Sequence, residues 1–377
     1  MTDGVTAELL SKVSDIPADQ WDALNPRGNP FVSHAFLSAL EHSGSVGPGT
    51  GWSPAPLLIR DADGVPAAAL PAYLKSHSQG EYVFDHHWAD AFHRAGGPYY
   101  PKLQIAAPFS PVPGPRLLVR DPAMALPILR AAEAVVEQNG LSSAHATFVD
   151  ETELAQFRAA GWLTRVGAQF HWQNRDYADF EGFLGAISSR KRKAIRKERT
   201  GAQSAARIEQ ISGADITSEH WDAFWIFYQD TDARKWGTPY LTRAFFDIIG
   251  DTMRDSIVLF LAFAGDRPIA GALNFVGPDC LYGRYWGCTS EVPFLHFELC
   301  YYQAIDYAIA HGLARVEAGA QGEHKLARGY EAVPTYSAHY IANEGFRMAV
   351  ADFLERETHA MEREIEFLGD MAPFKKG

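Results

Sequence analysis

Two stretches in opposite halves of the chain share one layout, and that repeat constrains the fold more than any other feature. In "APLLIRDADGVPAAALPAYL" an apolar run from Pro56 to Ile59 meets a turn at Asp61 to Gly64, and a second run follows from Val65 to Leu74. This is the pattern of a β-hairpin. In "VLFLAFAGDRPIAGALNFV" the turn falls at Gly265 to Arg267, and Pro268 stands where Pro66 stood. Downstream, "LPILRAAEAVVEQNGLSSAHATFV" spaces Leu126, Leu129, Ala132 and Val136 at helical intervals, stops at Asn139-Gly140 and resumes as an apolar strand. The stretch "FLHFELCYYQAIDYAIAHGLARVEAGA" does the same with Phe294, Phe297, Tyr301, Ile305 and Ile309 before Gly312. Residues three and four apart line one helix face, so both read as half-buried helices. Each following strand leads into a short polar helix that ends in glycine and an aromatic: "ETELAQFRAAGW" to Trp162, and "GEHKLARGY" to Tyr330. Two copies of one β-β-(β)-α-β-α-β unit predict an α/β (α+β) fold of two tandem units around central mixed sheets. The boundary is expected near residue 178, giving units 1–178 and 179–377. A closing helix carries Phe346, Val350, Phe353, Leu354, Met361 and Ile365 on one stripe.

Composition narrows the function classes. The 377 residues carry a formal net charge of -12, and bulk nucleic-acid binding needs the opposite sign over a broad surface. DNA is therefore not an expected partner. Three cysteines, Cys280, Cys288 and Cys300, form no C-x-x-C pair, which fits reduced thiols and offers no zinc framework. No apolar stretch is long enough to span a bilayer, and the N-terminal residues lack the pattern of a secretory signal. The expected location is cytoplasmic, with association at the cytoplasmic face of the membrane open. No G-x-S-x-G elbow, Walker loop or dinucleotide fingerprint occurs.

Particular strings carry a family resemblance across most of residues 29 to 355. The order of hairpin, strand, helix, strand and short helix resembles the GCN5-related N-acetyltransferase superfamily, and its duplication resembles the Fem peptidyltransferases. "NPFVSHAFLSALEHSG" is similar to the entry segment of Fem-like acyltransferases, and "FLGAISSRKRKAIRKER" to the basic helix that opens their second half. "GEYVFDHHWADAFHRAGGPYYPKL", "APFSPVPGPRLL" and "EAGAQGEHKLARGY" resemble the bacterial family named for peptidoglycan biosynthesis or recognition, which includes bacterial ceramide synthases. The resemblance implies an N-acyltransferase that moves an acyl group from acyl-CoA to a primary amine, such as a long-chain sphingoid base, without a metal. The alternatives are a Fem-like transferase that uses aminoacyl-tRNA on a peptidoglycan precursor, and a catalytically silent binding protein. The loop "WGCTSEVP" has one glycine, where many acyl-CoA-dependent relatives cradle pyrophosphate in a glycine-rich turn. Fem ligases lack that turn too.

The same resemblance places the reaction where the strands of "LYGRYWG" and "LARVEAGA" part. Acyl transfer to an amine needs a proton acceptor and donors for the oxyanion. His324, Glu298, His296 and Glu317 are the candidate catalytic residues. Glu298 and His296 start the helix after the first strand, where the dipole favours a carboxylate. Trp286, Gly287, Arg190, Lys191, Lys325 and Arg328 are the candidates for holding the donor, since seven of the ten residues from Arg190 to Arg199 are basic. Such a run suits the phosphates of CoA, a tRNA backbone or an anionic bilayer. Asp85, Tyr99, Tyr100, Arg284 and Tyr285 are the candidates for the acceptor. The first unit, whose "ATFVDETELAQF" lacks the histidine, lysine and glycines of its counterpart, is expected to be an inactive wall of the acceptor pocket.

Overall fold

The computed structural model describes residues 6–234, 239–319 and 322–375. The elements that position the site are β1 (Leu57–Arg60), β2 (Pro66–Leu70), β3 (Ala72–Lys75), β4 (Lys102–Ile105), α1 (Ala125–Gln138), β5 (Ser143–Val149), β6 (Leu163–Gln173), α2 (Ser189–Ala205), β7 (Arg207–Ser212), α3 (Ser218–Arg234), β8 (Ile257–Ala264), β9 (Arg267–Val276), β10 (Cys280–Cys288), β11 (Arg315–Glu317), β12 (Glu331–Ile341) and α4 (Glu344–Asp370). Both expected hairpins are present, β1 with β2 and β8 with β9, and each pairs antiparallel.

The chain divides into two compact units. One holds the residues up to Gly167 together with Pro334–Arg363, and the other Ala168–Val333 together with the residues from Glu364 on. The division therefore falls at two places, against the single boundary expected near 178. The reason is a strand exchange. His171, Trp172 and Gln173 at the end of β6 pair antiparallel with Glu317, Val316 and Arg315 of β11, inside the second unit. Tyr336 to Ile341 of β12 pair antiparallel with β5, inside the first. Each unit's strand set is completed by the strand that follows the short helix of the other copy.

In the first unit β4 and β5 run parallel, with Leu103 opposite Ala144 and Ile105 opposite Ala146. Those four side chains are buried on one face against Ile128, Leu129, Ala132 and Val136 of α1. The period of two sends Lys102, Gln104, His145 and Thr147 to the other face, where they too are buried. In the second unit the order is β7-β8-β9-β10-β11-β6. Val258, Phe260, Ala272, Leu281 and Val316 pack against Tyr302, Ile305 and Ala308 of the helical segment 295–310. Each Val, Leu, Ile or Phe side chain so buried contributes about 1.5–3 kcal/mol.

Two features of β10 shape the region beyond it. A bulge lies between Leu273/Asn274 of β9 and Tyr285/Gly283 of β10, so that Arg284 has no opposite residue in the ladder. Gly287 lies flat against α3: a Cβ there would stand 1.9 Å from the carbonyl oxygen of Phe227. No helix among the described residues is long and apolar enough to cross a membrane.

Candidate active site

The opening of the second unit follows from strand lengths. β10 and β11 pair in parallel over only three positions, Cys280 with Arg315, Leu281 with Val316 and Tyr282 with Glu317. β10 continues to Cys288 while β11 stops at Glu317, so the strands part beyond Tyr282. Gly283 sits in the fork, where a Cβ would lie 3.5 Å from the Glu317 carbonyl oxygen.

Lys325 reaches the edge of the fork from the 3-10 helix Glu323–Arg328. Its ammonium or amine is buried and donates to the carbonyl oxygens of Ala318 at 2.6 Å and Gly319 at 2.8 Å. Burial is the main reason its pKa falls to about 7, with Arg284 pushing the same way and Cys300 opposing. Both protonation states are therefore populated near neutral pH. A neutral amine that donates both N–H groups to two carbonyls keeps its lone pair for an incoming proton.

Glu317 is also buried. One oxygen accepts from Arg315 Nε at 3.1 Å, and Oε2 has no hydrogen-bond partner among the described residues. Opposite it in β6 lies His171, whose Nε2 is 3.2 Å from Gln169 Oε1. Burial lowers the pKa of His171 and Glu317 partly restores it. An unpartnered buried carboxylate oxygen costs free energy unless a cationic or donor group comes to it.

An aromatic wall adjoins Lys325. His324 is exposed, and its Nε2 lies 2.8 Å from the hydroxyl of Tyr301. Burial, then Arg328 and Lys325, lower the His324 pKa below the usual imidazole value. The His296 ring lies 5.1 Å from Trp286 and 5.4 Å from Tyr301.

The other expected residues are placed as follows. Glu298 is fully buried in a π-turn, Glu298–Tyr302, and its carboxylate accepts from Arg199, Gln203 and Gln303. Arg328 holds Glu198 with both oxygens at 2.9 Å and stacks 3.4 Å above Phe297. Gly287 has the packing role described above, and Arg190 and Lys191 are exposed on the first turn of α2. Tyr285 packs 5.4 Å from Tyr228. In the first unit Asp85 and Tyr99 are buried, and the Tyr99 hydroxyl donates to Asp85 at 2.6 Å. Lys102 donates to Asp85, Glu81 and Ser78 in the same cluster. Tyr100 is half-exposed and bonds Ser78. No group of His, Cys, Asp and Glu among the described residues could hold a metal ion.

The second unit thus brings together Glu317, Lys325, Arg284, Trp286, His296 and His324. Three further residues belong with them. Tyr301 reads in sequence as one more apolar position of a helix, although "CYY" signals a doubled hydroxyl at its inner turns. Gln169 and His171 alternate with Phe170 and Trp172, a period-two signature of a strand with a polar face.

Two compact units of one topology, each with a parallel strand pair and the second parting over a buried amine, define a chain of two acetyltransferase-like units. A family model described as FemAB-like, peptidoglycan biosynthesis/recognition, matches residues 12–376, and the chain belongs to that family. Among solved structures FemX is similar at a TM-score of 0.55 and 12% identity, with 89% of this chain and 98% of that one covered. L-PGS from Bacillus licheniformis is similar at 0.54 and 10%, covering 94% and 97%. The C-terminal domain of a putative lysylphosphatidylglycerol synthetase from Agrobacterium fabrum is similar at 0.54 and 11%, covering 90% and 95%. At these identities the likeness is one of fold. No curated protein matches the sequence significantly.

Proposed function

We propose that the chain is an N-acyltransferase whose reaction takes place at the fork of β10 and β11, with Lys325 as the proton carrier. The observation that carries this reading is a buried lysine with a pKa of about 7 held at the point where the two strands part. A general base works best when its pKa lies near the operating pH. The amine acceptor approaches as an ammonium against Glu317 Oε2 and gives a proton to Lys325. Its nitrogen then attacks the acyl carbonyl and gives up its second surplus proton to solvent as the carbon–sulfur bond of a thioester breaks, and Lys325 returns the first proton to the leaving thiolate. The products are an amide and a free thiol. Trp286, His296 and the His324–Tyr301 pair line the approach.

The acyl donor in this reading is acyl-CoA, and the acceptor is a primary amine with a long apolar chain, as in ceramide synthesis. The family description favours a second reading, in which an aminoacyl-tRNA ester is the donor and a cell-wall precursor amine the acceptor. The proton chemistry is the same with an alcohol as leaving group.

The two are separated by incubating the purified protein with palmitoyl-CoA, acetyl-CoA and a panel of amines and following thiol release. Release with sphinganine-like amines supports the lipid reading. Consumption of aminoacyl-tRNA with no thioester turnover replaces it by the second. No transfer from either donor leaves a binding protein.

A further inference from the structure

Helix α2 is where a chain of net charge -12 concentrates positive charge, and the structure sorts those residues by face. Ile195 and Ala202 are buried. Arg199 turns inward to Glu298 and Asp306, and the helix's single carboxylate, Glu198, is held by Arg328 and by the Tyr302 hydroxyl. Arg190, Ala194, Lys197 and Gly201 follow one another at helical intervals on the opposite side, flanked by Lys193, and all five are exposed. Lys191 is exposed too, but heads the row of Ile195, Glu198 and Ala202 and is not part of this stripe. Among the described residues only Arg196 of the exposed cations in this run reaches a carboxylate, that of Glu181.

The stripe ends on an aromatic ring. A Cβ at Gly201 would stand 3.4 Å from Cδ2 of Phe294, so the Phe294 ring lies against the same face that carries Arg190 and Lys197. Phe294 is 37% exposed and has φ of 66°. A bulky residue in the left-handed region costs of order 1–3 kcal/mol, and this one gains little burial in return. The next residues, Leu295 and His296, enter the helical segment that walls the fork. A solvated charged helix needs neither the strained aromatic nor the sorting of its carboxylate to the inner face.

We infer that this stripe is a docking surface for an anionic lipid bilayer. Cations on one helix face meet the headgroups, each favouring an anionic surface, while an exposed phenylalanine enters the headgroup and acyl boundary. Ala194 and Gly201 have no side chain long enough to hold the helix off that surface. Docking by this face brings the segment that leads into the fork up to the membrane. Charge complementarity selects an anionic partner, and the phenylalanine selects lipid over a polynucleotide, whose binding rests on many phosphate contacts along a broad basic track. The surface does not depend on the reaction proposed above, because its assay reads binding alone.

The test is co-sedimentation of the full chain with phosphatidylcholine vesicles, with and without phosphatidylglycerol, at low and high salt. The expected result is binding that requires phosphatidylglycerol and weakens with salt. The combined variant Arg190→Gln, Lys193→Gln, Lys197→Gln should lose about a hundredfold in vesicle affinity, from the usual contribution of three interfacial cations. Phe294→Gly should lose about tenfold with no fall in thermal stability, because glycine is at ease at positive φ. That variant therefore separates loss of docking from loss of fold. Folded wild-type protein that ignores phosphatidylglycerol would overturn the inference, as would Phe294→Gly binding at wild-type strength. So would protein that binds bulk tRNA at low salt while leaving the vesicles unbound.

Discussion

The two units place chemically opposite groups at one position. After β5 comes Glu151-Thr152-Glu153-Leu154, and after β11 comes Glu323-His324-Lys325-Leu326. Leu154 and Leu326 are both buried, which sets the two turns in the same register. Glu153 is buried and accepts from the backbone N–H groups of Arg116 and Leu117 at 2.9 to 3.1 Å. Gly114 also bridges to Val149 in parallel, so the chain that continues from β4 stays tied to the end of β5. Lys325 instead donates to Ala318 and Gly319 on its own strand's extension, and nothing bridges β10 to β11 beyond Tyr282 among the described pairs. In the first unit a carboxyl occupies the N–H groups that a ligand carbonyl could use. In the second the amine leaves the fork open. The difference between a closed and an open copy of this topology comes down to which group follows the fifth strand.

The largest effect expected from breaking that contrast is on catalysis. Lys325→Met should lower kcat by about a hundredfold or more, the usual weight of a positioned proton carrier. Single-turnover thiol release measures it. The wild-type rate should rise with pH through about 7, as Lys325 loses its proton, and the variant's residual rate should lack that limb. A methionine variant with wild-type kcat and profile would remove Lys325 from the mechanism. His324→Ala should cost less, because the ring reaches Tyr301 and not the fork.

The next effect is on stability, in the other unit. Glu153→Ala strips the acceptor from two buried backbone N–H groups, and each unsatisfied group costs about 1–3 kcal/mol. Denaturant unfolding should show a loss of that order, while thiol release by the folded fraction stays at the wild-type rate. An equal loss of activity per folded molecule would mean that the first unit does more than close itself.

Much of this contrast was legible in sequence and some of it could not be. The hairpins, the helix stops at Gly140 and Gly312 and the glycine-aromatic steps at Trp162 and Tyr330 are local patterns, and local patterns predict local elements. The exchange of β6 and β12 is not local. Their residues read as strands, but a partner more than a hundred residues away leaves no mark on the spacing. Glu298 shows the same limit: its place at a helix start is visible, whereas Arg199 and Gln203, which occupy it, lie on another helix. Lys325 was visible as a cation in the right turn. Its burial, on which the proposed proton-carrier role rests in place of the expected phosphate-binding one, depends on packing that no short string encodes.

The smallest expected effect is a pair of opposite pH slopes. Burial raises the Glu153 pKa to about 8, against donation from Arg116 and Leu117. The folded state then holds a proton that the unfolded state has released above the ordinary carboxylate range, so this group makes stability fall as pH rises toward 8. Burial lowers the Lys325 pKa from 10.5 to about 7. There the unfolded state holds the extra proton, so stability rises as pH rises from about 7 to 10.5. Glu153→Gln should flatten the falling limb and Lys325→Met the rising one, read from unfolding midpoints across the range. If Glu153→Gln leaves the falling limb intact, the carboxyl is ionised in the folded state, and the first unit is closed by a charge and not by a neutral acid.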